Sequence, residues 1–213
     1  MSFGRSERER LAYEALHYPG TDVLINKLNL RDRQTLEAAE RELVAHRMEQ
    51  GLPAAAQRFD IAGLQELHRH MFQDVYDWAG TFRTYTTGRG AAPFATPENI
   101  GPWLEHQFAA LAEERFLGGL SATRFAARAA HYVNEINAAH PFVEGNGRAQ
   151  RVWLRNLAVQ AGHEIVLRSS DRERWYEASR LGFEKADPEP MERLLRTAMD
   201  RARSRERGTE RER

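Results

Sequence analysis

The chain has 213 residues with 31 basic and 31 acidic side chains, and 41% of its residues are apolar. This length is enough for one domain that buries a sizeable core without disulfides or a structural metal. Because the formal net charge is zero, bulk charge gives no argument for nucleic acid or an anionic membrane as a partner. The lack of cysteine excludes disulfides, thiolate metal sites and thiol catalysis.

Neither a membrane span nor a secretory signal is visible in the sequence. No stretch approaches the roughly 18 consecutive apolar residues of a membrane helix. No apolar run follows Met1–Arg5, as a signal peptide would require. We therefore expect a cytoplasmic protein with no membrane partner and no direct contact with nucleic acid.

Helical patterns dominate the chain. Helix-favouring residues, apolar positions spaced by three and four, and N-cap or C-cap residues are the signals. They predict seven helices, at about 31–50, 60–78, 96–115, 121–140, 146–162, 171–186 and 189–200. The alternation of Arg and Glu over 201–213 predicts a charged tail that is a frayed helix or disordered.

The segment 80–95 departs from the helical pattern. Its strand-favouring residues are Thr84, Tyr85, Thr86 and Thr87, and Gly88-Arg89-Gly90 then favours a turn. The segment therefore predicts a small β-hairpin. The predicted fold class is all-α, a compact helical bundle with this hairpin, in one domain over residues 1–200.

The run from His140 to Arg151 has the features of a phosphate site. Pro141 disfavours helical backbone at His140, so a helix should end there and another begin near Asn146. A helix N-terminus carries unpaired N–H groups and partial positive charge, which suit phosphate. Gly145 and Gly147 allow close approach of the backbone, and Asn146 adds an amide donor.

The other side chains of this run supply charge, a base and an anchor. Arg148 and Arg151 are three residues apart on one helix face, where they can clamp outer phosphates. Glu144 is a hard oxygen ligand for Mg²⁺, and His140 is a general base near neutral pH. Phe142 is expected to anchor the loop in the core. Each residue by itself has an ordinary structural explanation, and their concurrence within one loop favours a site.

The run fills every fixed position of His-x-Phe-x-Asp/Glu-Gly-Asn-Gly-Arg-x-x-Arg, and it resembles the Fic family motif. Residues 18–28 resemble a segment near the start of many bacterial Fic domains, and Trp78-Ala79-Gly80 with Arg83 resembles their flap. The resemblance covers residues 18–195. It implies a Fic-type helical bundle with core motif 140–151 and a flap at about 80–95.

The resemblance implies a protein adenylyltransferase that moves AMP from ATP to a Ser, Thr or Tyr hydroxyl of a target protein. It makes His140 the base and Glu144 the ligand of Mg²⁺. It assigns the phosphates to Gly145, Asn146, Gly147, Arg148 and Arg151. Glycine at 147 favours AMP transfer, since the Doc-like branch, which transfers phosphate, has lysine there.

The flap is the expected docking place for an extended target segment, which would pair with a strand edge. The candidate docking residues are Thr84, Tyr85, Thr86 and Thr87. Arg89 stands in a region where many members carry a lysine. Relatives imply type IIA topoisomerase subunits or host GTPases as targets.

Regulation is expected to come from a separate protein. Many Fic enzymes carry Ser/Thr-x-x-x-Glu-Gly/Asn, whose Glu pairs with the second motif arginine, here Arg151. Ser169 with Glu173 is the nearest match, but Arg174 follows it and the segment lies after the motif. We therefore expect a small antitoxin that supplies an inhibitory Glu toward Arg151, with this chain as the toxin of the pair.

Three alternative functions stay open. The same fold could transfer phosphate or another nucleotide moiety, or it could be a non-catalytic nucleotide-binding module. A helical DNA-binding regulator is a third reading, suggested by the arginine-rich tail, although interspersed glutamates cancel its charge.

Overall fold

The computed structural model describes residues 4–211, with side chains described as far as residue 205. Within that range the chain forms eight α-helices and a two-stranded antiparallel sheet, which confirms the predicted all-α class with a small hairpin. The helices are α1 Glu7–Glu14, α2 Arg33–Glu49, α3 Ile61–Phe72, α4 Pro97–Glu113, α5 Ala122–Ala139, α6 Asn146–Gln160, α7 Arg172–Lys185 and α8 Glu189–Arg211. None of these described helices is long and apolar enough to cross a membrane.

The chain divides into two compact units, and each is described by itself. The first contains Met1–Glu105 and Ala139–Ala149, and the second contains His106–Ala138 and Gln150–Arg213. Most of the predicted phosphate loop therefore belongs to the first unit. The single domain expected over residues 1–200 stays a prediction.

In the first unit, α2 and α3 pack against each other, and each begins at a capping aspartate. Asp32 Oδ1 accepts a hydrogen bond from the Thr35 N–H at 2.8 Å, and Asp60 Oδ1 accepts one from the Gly63 N–H at 2.6 Å. These bonds satisfy N–H groups that the first helical turn leaves without an intrahelical acceptor. The buried apolar residues of α3 are Leu64, Leu67, Met71 and Phe72.

Helix α3 ends at Phe72, six residues before the predicted end near Trp78. The N–H groups of Val75 and Tyr76 both donate to the Phe72 carbonyl at 3.0 Å, so the chain turns there. Val75 and Tyr76 are nevertheless buried. The spacing of apolar residues by three and four therefore extends past the helix into a turn. This spacing alone does not distinguish the turn from further helix.

The hairpin is shorter than predicted. Its strands are β1 Gly88–Arg89 and β2 Ala92–Pro93, paired with Gly88 opposite Pro93 and Arg89 opposite Ala92. Gly90, in the turn, has a φ of +58°. Residues 84–87 precede β1 and are not part of a strand, so the predicted strand at these positions is wrong.

Helix α1 was not predicted from the sequence. Ser6 is its N-cap and Glu9 completes a capping box, with the Glu9 carboxylate accepting from the Ser6 N–H at 2.9 Å. The spacing Ser-x-x-Glu is the signal that could have revealed this helix start. Helix α1 places Glu9 and Tyr13 against the flap segment.

In the second unit, α7 packs against α8, and α8 continues to Arg211, past its predicted end near Asp200. Ala202 is buried, and Arg201 donates to the buried Asp171 carboxylate at 3.1 Å. These contacts stabilise the helix beyond Asp200. Of the two forms predicted for the tail, helix is the one observed as far as Arg211, and residues 212–213 lie outside the described residues.

Candidate active site

His140 lies just after α5, which ends at Ala139, and just before Pro141. Its φ is +42°, in the left-handed region that side chains other than glycine rarely adopt. The histidine ring is half-buried and stacks on the Phe94 ring, with centroids 4.0 Å apart and planes 3° apart. The predicted base is therefore held by its backbone on one side and by an aromatic residue that follows β2 on the other.

Arg83 connects the flap to the backbone of His140. Its Nε donates to the His140 carbonyl at 2.8 Å, and its Nη2 donates to the Ala139 carbonyl at 3.1 Å. The same guanidinium donates to the carbonyls of Tyr85, at 2.6 Å, and Ala95. Arg83 is 2% exposed, and burial lowers its pKa to about 10, so it remains a cation at neutral pH. One buried cation thus links both arms of the flap to the end of α5.

His68, on α3, holds the loop that follows His140. Its Nδ1 accepts from the Gly80 N–H at 2.9 Å, so its Nε2 carries the proton and donates to the Glu144 carbonyl at 2.9 Å. Burial lowers the pKa of His68 to about 4, which keeps the ring neutral at pH 7. The ring stacks on Phe142 with centroids 3.8 Å apart. His68 therefore connects Gly80, at the start of the flap, to Glu144 in the predicted phosphate loop, residues 140–148.

The loop after His140 is closed by Asn146. Its side-chain Oδ1 accepts from the Phe142 N–H at 2.9 Å, and its Nδ2 donates to the Phe142 carbonyl at 2.8 Å. Phe142 is 1% exposed, as expected for the predicted anchor. Asn146 is buried too, so its observed contacts stabilise the loop. The predicted contact of Asn146 with a phosphate stays a prediction.

Gly145 stands where no other residue fits. Its φ is +80°, and a Cβ at this position would lie 2.4 Å from the Phe72 ring and 3.2 Å from His68 Nε2. The Gly145 carbonyl accepts from the N–H groups of Arg148 and Ala149 at 3.0 Å, which starts α6. The loop therefore needs glycine for both its backbone conformation and its packing. Gly147 follows within the first turn of α6.

Glu144 is an exposed carboxylate within this loop. Its Oε1 accepts from the Gly145 N–H at 2.8 Å and lies 3.4 Å from Nη2 of Arg148. No group of three or more His, Cys, Asp or Glu side chains suited to a metal ion occurs among the described residues. A single exposed carboxylate fits Mg²⁺ shared with substrate phosphates, since Mg²⁺ keeps several waters and needs few protein ligands.

Arg148 lies on the first turn of α6, half-buried between two acids and a ring. Its Nη1 forms an ion pair with Glu40 of α2, and its guanidinium lies 4.7 Å from the centre of the Phe72 ring. The predicted phosphate clamp is therefore already fixed in orientation by neighbours from α2 and α3.

Arg151 lies three residues further along α6 and belongs to the second unit. Its guanidinium is 5.7 Å from the centre of the Trp175 ring. Both line a small cavity of about 180 Å³, together with Leu167, Arg168, Ser169, Asp171 and Arg172. The predicted action of Arg151 on the outer phosphates stays a prediction.

Of the four predicted docking residues in the flap, Thr84 is exposed and Thr87 is half-buried, but the other two are buried, and none lies in a strand. Their role in target docking stays a prediction. Thr86 is buried, and its N–H and hydroxyl donate to Glu9 Oε1 at 2.8 and 2.6 Å. Its carbonyl accepts from Arg5 Nε at 2.7 Å. Tyr85 is buried as well and meets the Tyr13 ring edge-on, with centroids 5.1 Å apart. Arg5, Glu9 and Tyr13 of the N-terminal segment thus contact the groups that a target strand would need.

Three residues that build this site were not predicted to do so: His68, Arg83 and Glu40. For Glu40 and His68 the signal in the sequence was a polar side chain within an apolar pattern, whereas Arg83 stood only in the resemblance to the Fic flap. Glu40 sits four residues from both Leu36 and Val44, the other buried residues of α2. His68 lies among the buried residues of α3. Such patterns show that a polar group is buried, but they do not show what it contacts.

A half-buried histidine, a loop with glycine and a helix N-terminus that carries an arginine are the features expected of an anion site with a base beside it. Sites of this class serve phosphoryl-type transfer, in which catalysis is mostly positioning and charge stabilisation. On this helical fold they agree with the nucleotide site that the sequence predicted.

The chain belongs to the Fic/DOC family, whose family model matches residues 58–158. It is 37% identical over 176 residues to the probable protein adenylyltransferase Fic of Escherichia coli K12, covering 78% of this chain and 82% of that protein. It is 42% identical over 153 residues to the probable protein adenylyltransferase y4lH of Sinorhizobium fredii, covering 71% and 79%. The crystal structure of BepC from Bartonella tribocorum with bound AMPPNP matches with a TM-score of 0.78 at 27% identity, covering 87% and 96%.

Proposed function

We propose that this chain is a protein adenylyltransferase that transfers AMP from ATP to a hydroxyl side chain of a target protein. The observation that carries the proposal is the loop 140–148 of the first unit, in which a fixed histidine, an exposed carboxylate and a helix N-terminus follow one another. Two relatives that cover most of the chain are named as probable protein adenylyltransferases. The BepC structure holds AMPPNP, an ATP analogue, which supports ATP as the substrate here.

In the proposed reaction, His140 takes the proton from the target hydroxyl. The hydroxyl oxygen forms a bond to the α-phosphorus of ATP, and the bond from that phosphorus to the bridging oxygen of the β-phosphate breaks. Pyrophosphate leaves with the bonding electrons. Because Arg83 and Phe94 fix the position of His140, the base needs little rearrangement when the target arrives.

The phosphates are assigned to the loop and the first turns of α6. The N–H groups at the start of α6 and the backbone at Gly145 and Gly147 would face the α- and β-phosphates. Arg148 and Arg151 would hold the outer phosphates through charge-assisted hydrogen bonds. Asn146 supports this arrangement through its two bonds to Phe142. Glycine at 147 favours AMP transfer, since the Doc-like branch of the family has lysine there.

Glu144 would hold Mg²⁺, which would be shared with the phosphates and would neutralise part of their negative charge. The carboxylate is exposed and held by the Gly145 N–H. Arg148 also approaches Glu144, so both charges can act on the same phosphates.

The proposed partners are a target protein and a small antitoxin. Type IIA topoisomerase subunits are the target that we consider first. The antitoxin would direct a Glu to Arg151, whose position beside a cavity in the second unit leaves room for such a contact. The chain would then be the toxin of a toxin–antitoxin pair. This part of the proposal rests on the family resemblance and on the lack of an internal inhibitory motif in the sequence.

The proposed activity is tested by incubating the protein with bacterial lysate, Mg²⁺ and ATP labelled at the α-phosphate. The expected result is a labelled protein band that is lost with His140→Ala, while ATP binding by that variant is kept. A matched control is His106→Ala, which changes an exposed histidine on α4. A band of equal intensity with His140→Ala would contradict the assignment of His140 as the base.

A further inference from the structure

We propose that Glu40 is a positioning residue for nucleotide binding, which acts by holding the guanidinium of Arg148 toward the phosphates. The proposal rests on the function proposed above, since it assigns a new residue to the same site. Glu40 lies on α2, 108 residues from Arg148 in sequence, and neither the motif nor its spacing includes it.

Glu40 is a carboxylate in an apolar setting. It is 5% exposed and shares the buried face of α2 with Leu36 and Val44. Moving a charge out of water is costly unless the charge is paired and hydrogen-bonded. Its partners are the Arg148 guanidinium and the hydroxyl of Tyr76. Burial, followed by the nearby Glu40 charge, raises the pKa of Tyr76, so this hydroxyl keeps its proton and remains a donor.

Arg148 is held from three sides. Nη1 pairs with Glu40, Nη2 lies 3.4 Å from Glu144 Oε1, and the guanidinium lies over Phe72. Arginine has five N–H donors, so two carboxylates leave donors for a phosphate. Glu144 is exposed and is itself the proposed Mg²⁺ ligand. Glu40 is therefore the buried partner that can stay in place when nucleotide and metal enter.

Positioning of this kind raises affinity without a direct contact. A free arginine side chain loses rotamer entropy when it is fixed. Part of that loss is already incurred in the free protein if Glu40 holds the guanidinium in place before ATP arrives. Glu40 would thus act through Arg148, and it would not touch the nucleotide.

The experiment measures the Kd of ATP for the full chain, by calorimetry, with four variants beside the unmodified protein. They are Glu40→Gln, Arg148→Ala, the double variant, and Glu37→Gln as a matched control on the exposed face of α2. The expected result is that Glu40→Gln weakens ATP binding about tenfold. In the Arg148→Ala background the same change should have no further effect, and Glu37→Gln should bind as the unmodified protein does.

Three results would overturn the inference. Tighter ATP binding by Glu40→Gln would show that Glu40 competes with phosphate for Arg148. If Glu40→Gln weakened ATP binding equally in the unmodified protein and in Arg148→Ala, Glu40 would support only the fold. An unchanged Kd of ATP in Glu40→Gln would show that Glu40 has no part in nucleotide binding. If the unmodified protein bound no ATP, the proposed function itself would fail.

Folding is followed separately by the Tm of each variant. If Glu40→Gln does not fold, Glu40→Asp serves instead, because it keeps the charge but shortens the reach to Arg148. Glu40→Asp should then weaken ATP binding, should have no further effect in the Arg148→Ala background, and should keep a Tm close to that of the unmodified protein. A loss of Tm in parallel with a loss of affinity, independent of Arg148, would count against positioning.

Discussion

His140 occupies a backbone conformation that costs energy, and Arg83 is the residue that stabilises it. A left-handed conformation at a residue other than glycine costs about 1–3 kcal/mol and persists only where the surroundings enforce it. Here the surroundings are the Arg83 guanidinium on the His140 carbonyl and the Arg83 N–H on the Pro141 carbonyl, at 2.8 Å each. Arg83 thus connects the strained backbone of His140, the proposed base, to the flap.

We expect Arg83→Lys to reduce the rate of transfer at least tenfold while changing the KM for ATP less. A lysine has one donor atom and cannot reach carbonyls in the flap and at the end of α5 together. Each buried carbonyl left without a donor costs about 1–3 kcal/mol, so the free energy of unfolding should fall as well. The measurements are kcat, KM and a denaturant titration.

Arg33→Lys, at an exposed arginine of α2, is the control for these measurements. Partial recovery of kcat in Arg83→Ala by added guanidinium, at concentrations that leave the Tm unchanged, would support positioning, because the gain would then not come from restored stability. Unchanged kcat in Arg83→Lys would show that His140 does not depend on this contact.

Helix α1 packs against the flap within the first unit. Glu9 uses one carboxylate oxygen for the α1 capping box and the other for Thr86. The hydrogen bonds to Thr86, and next those to Ser6, lower the pKa of Glu9 to about 2. The carboxylate is therefore charged at neutral pH. A target segment can pair with Thr86 only if it displaces these bonds.

We expect Glu9→Ala to speed hydrogen exchange at the Thr86 amide by about tenfold, because the amide loses a charged acceptor. The Kd for ATP should not change, since Glu9 is outside the phosphate loop. Glu7→Ala, an exposed acid of the same helix, is the control. Exchange at Thr86 that is equally slow in both variants would show that α1 does not hold the flap.

At the scale of the whole molecule, the elements that the sequence predicted well are those with local signals. The cap at Asp60, the break at Pro141 and the start of α6 are decided by neighbouring residues, and all are observed. The contacts that hold the site are decided by residues far apart in sequence. Arg83 and His140 are 57 residues apart, and His68 and Glu144 are 76 apart. No local pattern could have paired them.

The stability of the molecule should depend on pH through His68. Its folded-state pKa of about 4 lies below the ordinary value of 6.5, so the unfolded chain takes up a proton first as pH falls. The contribution of neutral His68 is therefore present above pH 6.5 and is lost as pH falls toward 4. We expect the free energy of unfolding to drop by up to about 3 kcal/mol across this range.

Denaturant titrations between pH 7 and 4 measure this drop. His68→Gln should be less stable at pH 7 and should show a shallower pH dependence than the unmodified protein. His106→Gln, at an exposed histidine, should keep the full pH dependence. An equal pH slope in His68→Gln would assign the effect to other groups.

The central claim is that His140 and its loop transfer AMP, and the mass added to a target protein tests it most directly. Mass spectrometry of a protein labelled by the unmodified chain, beside the same reaction with His140→Ala, gives that mass. We predict the mass of one AMP moiety on a Ser, Thr or Tyr residue, and no addition with His140→Ala. Addition of a phosphate, or of AMP by the variant as well, would contradict the account.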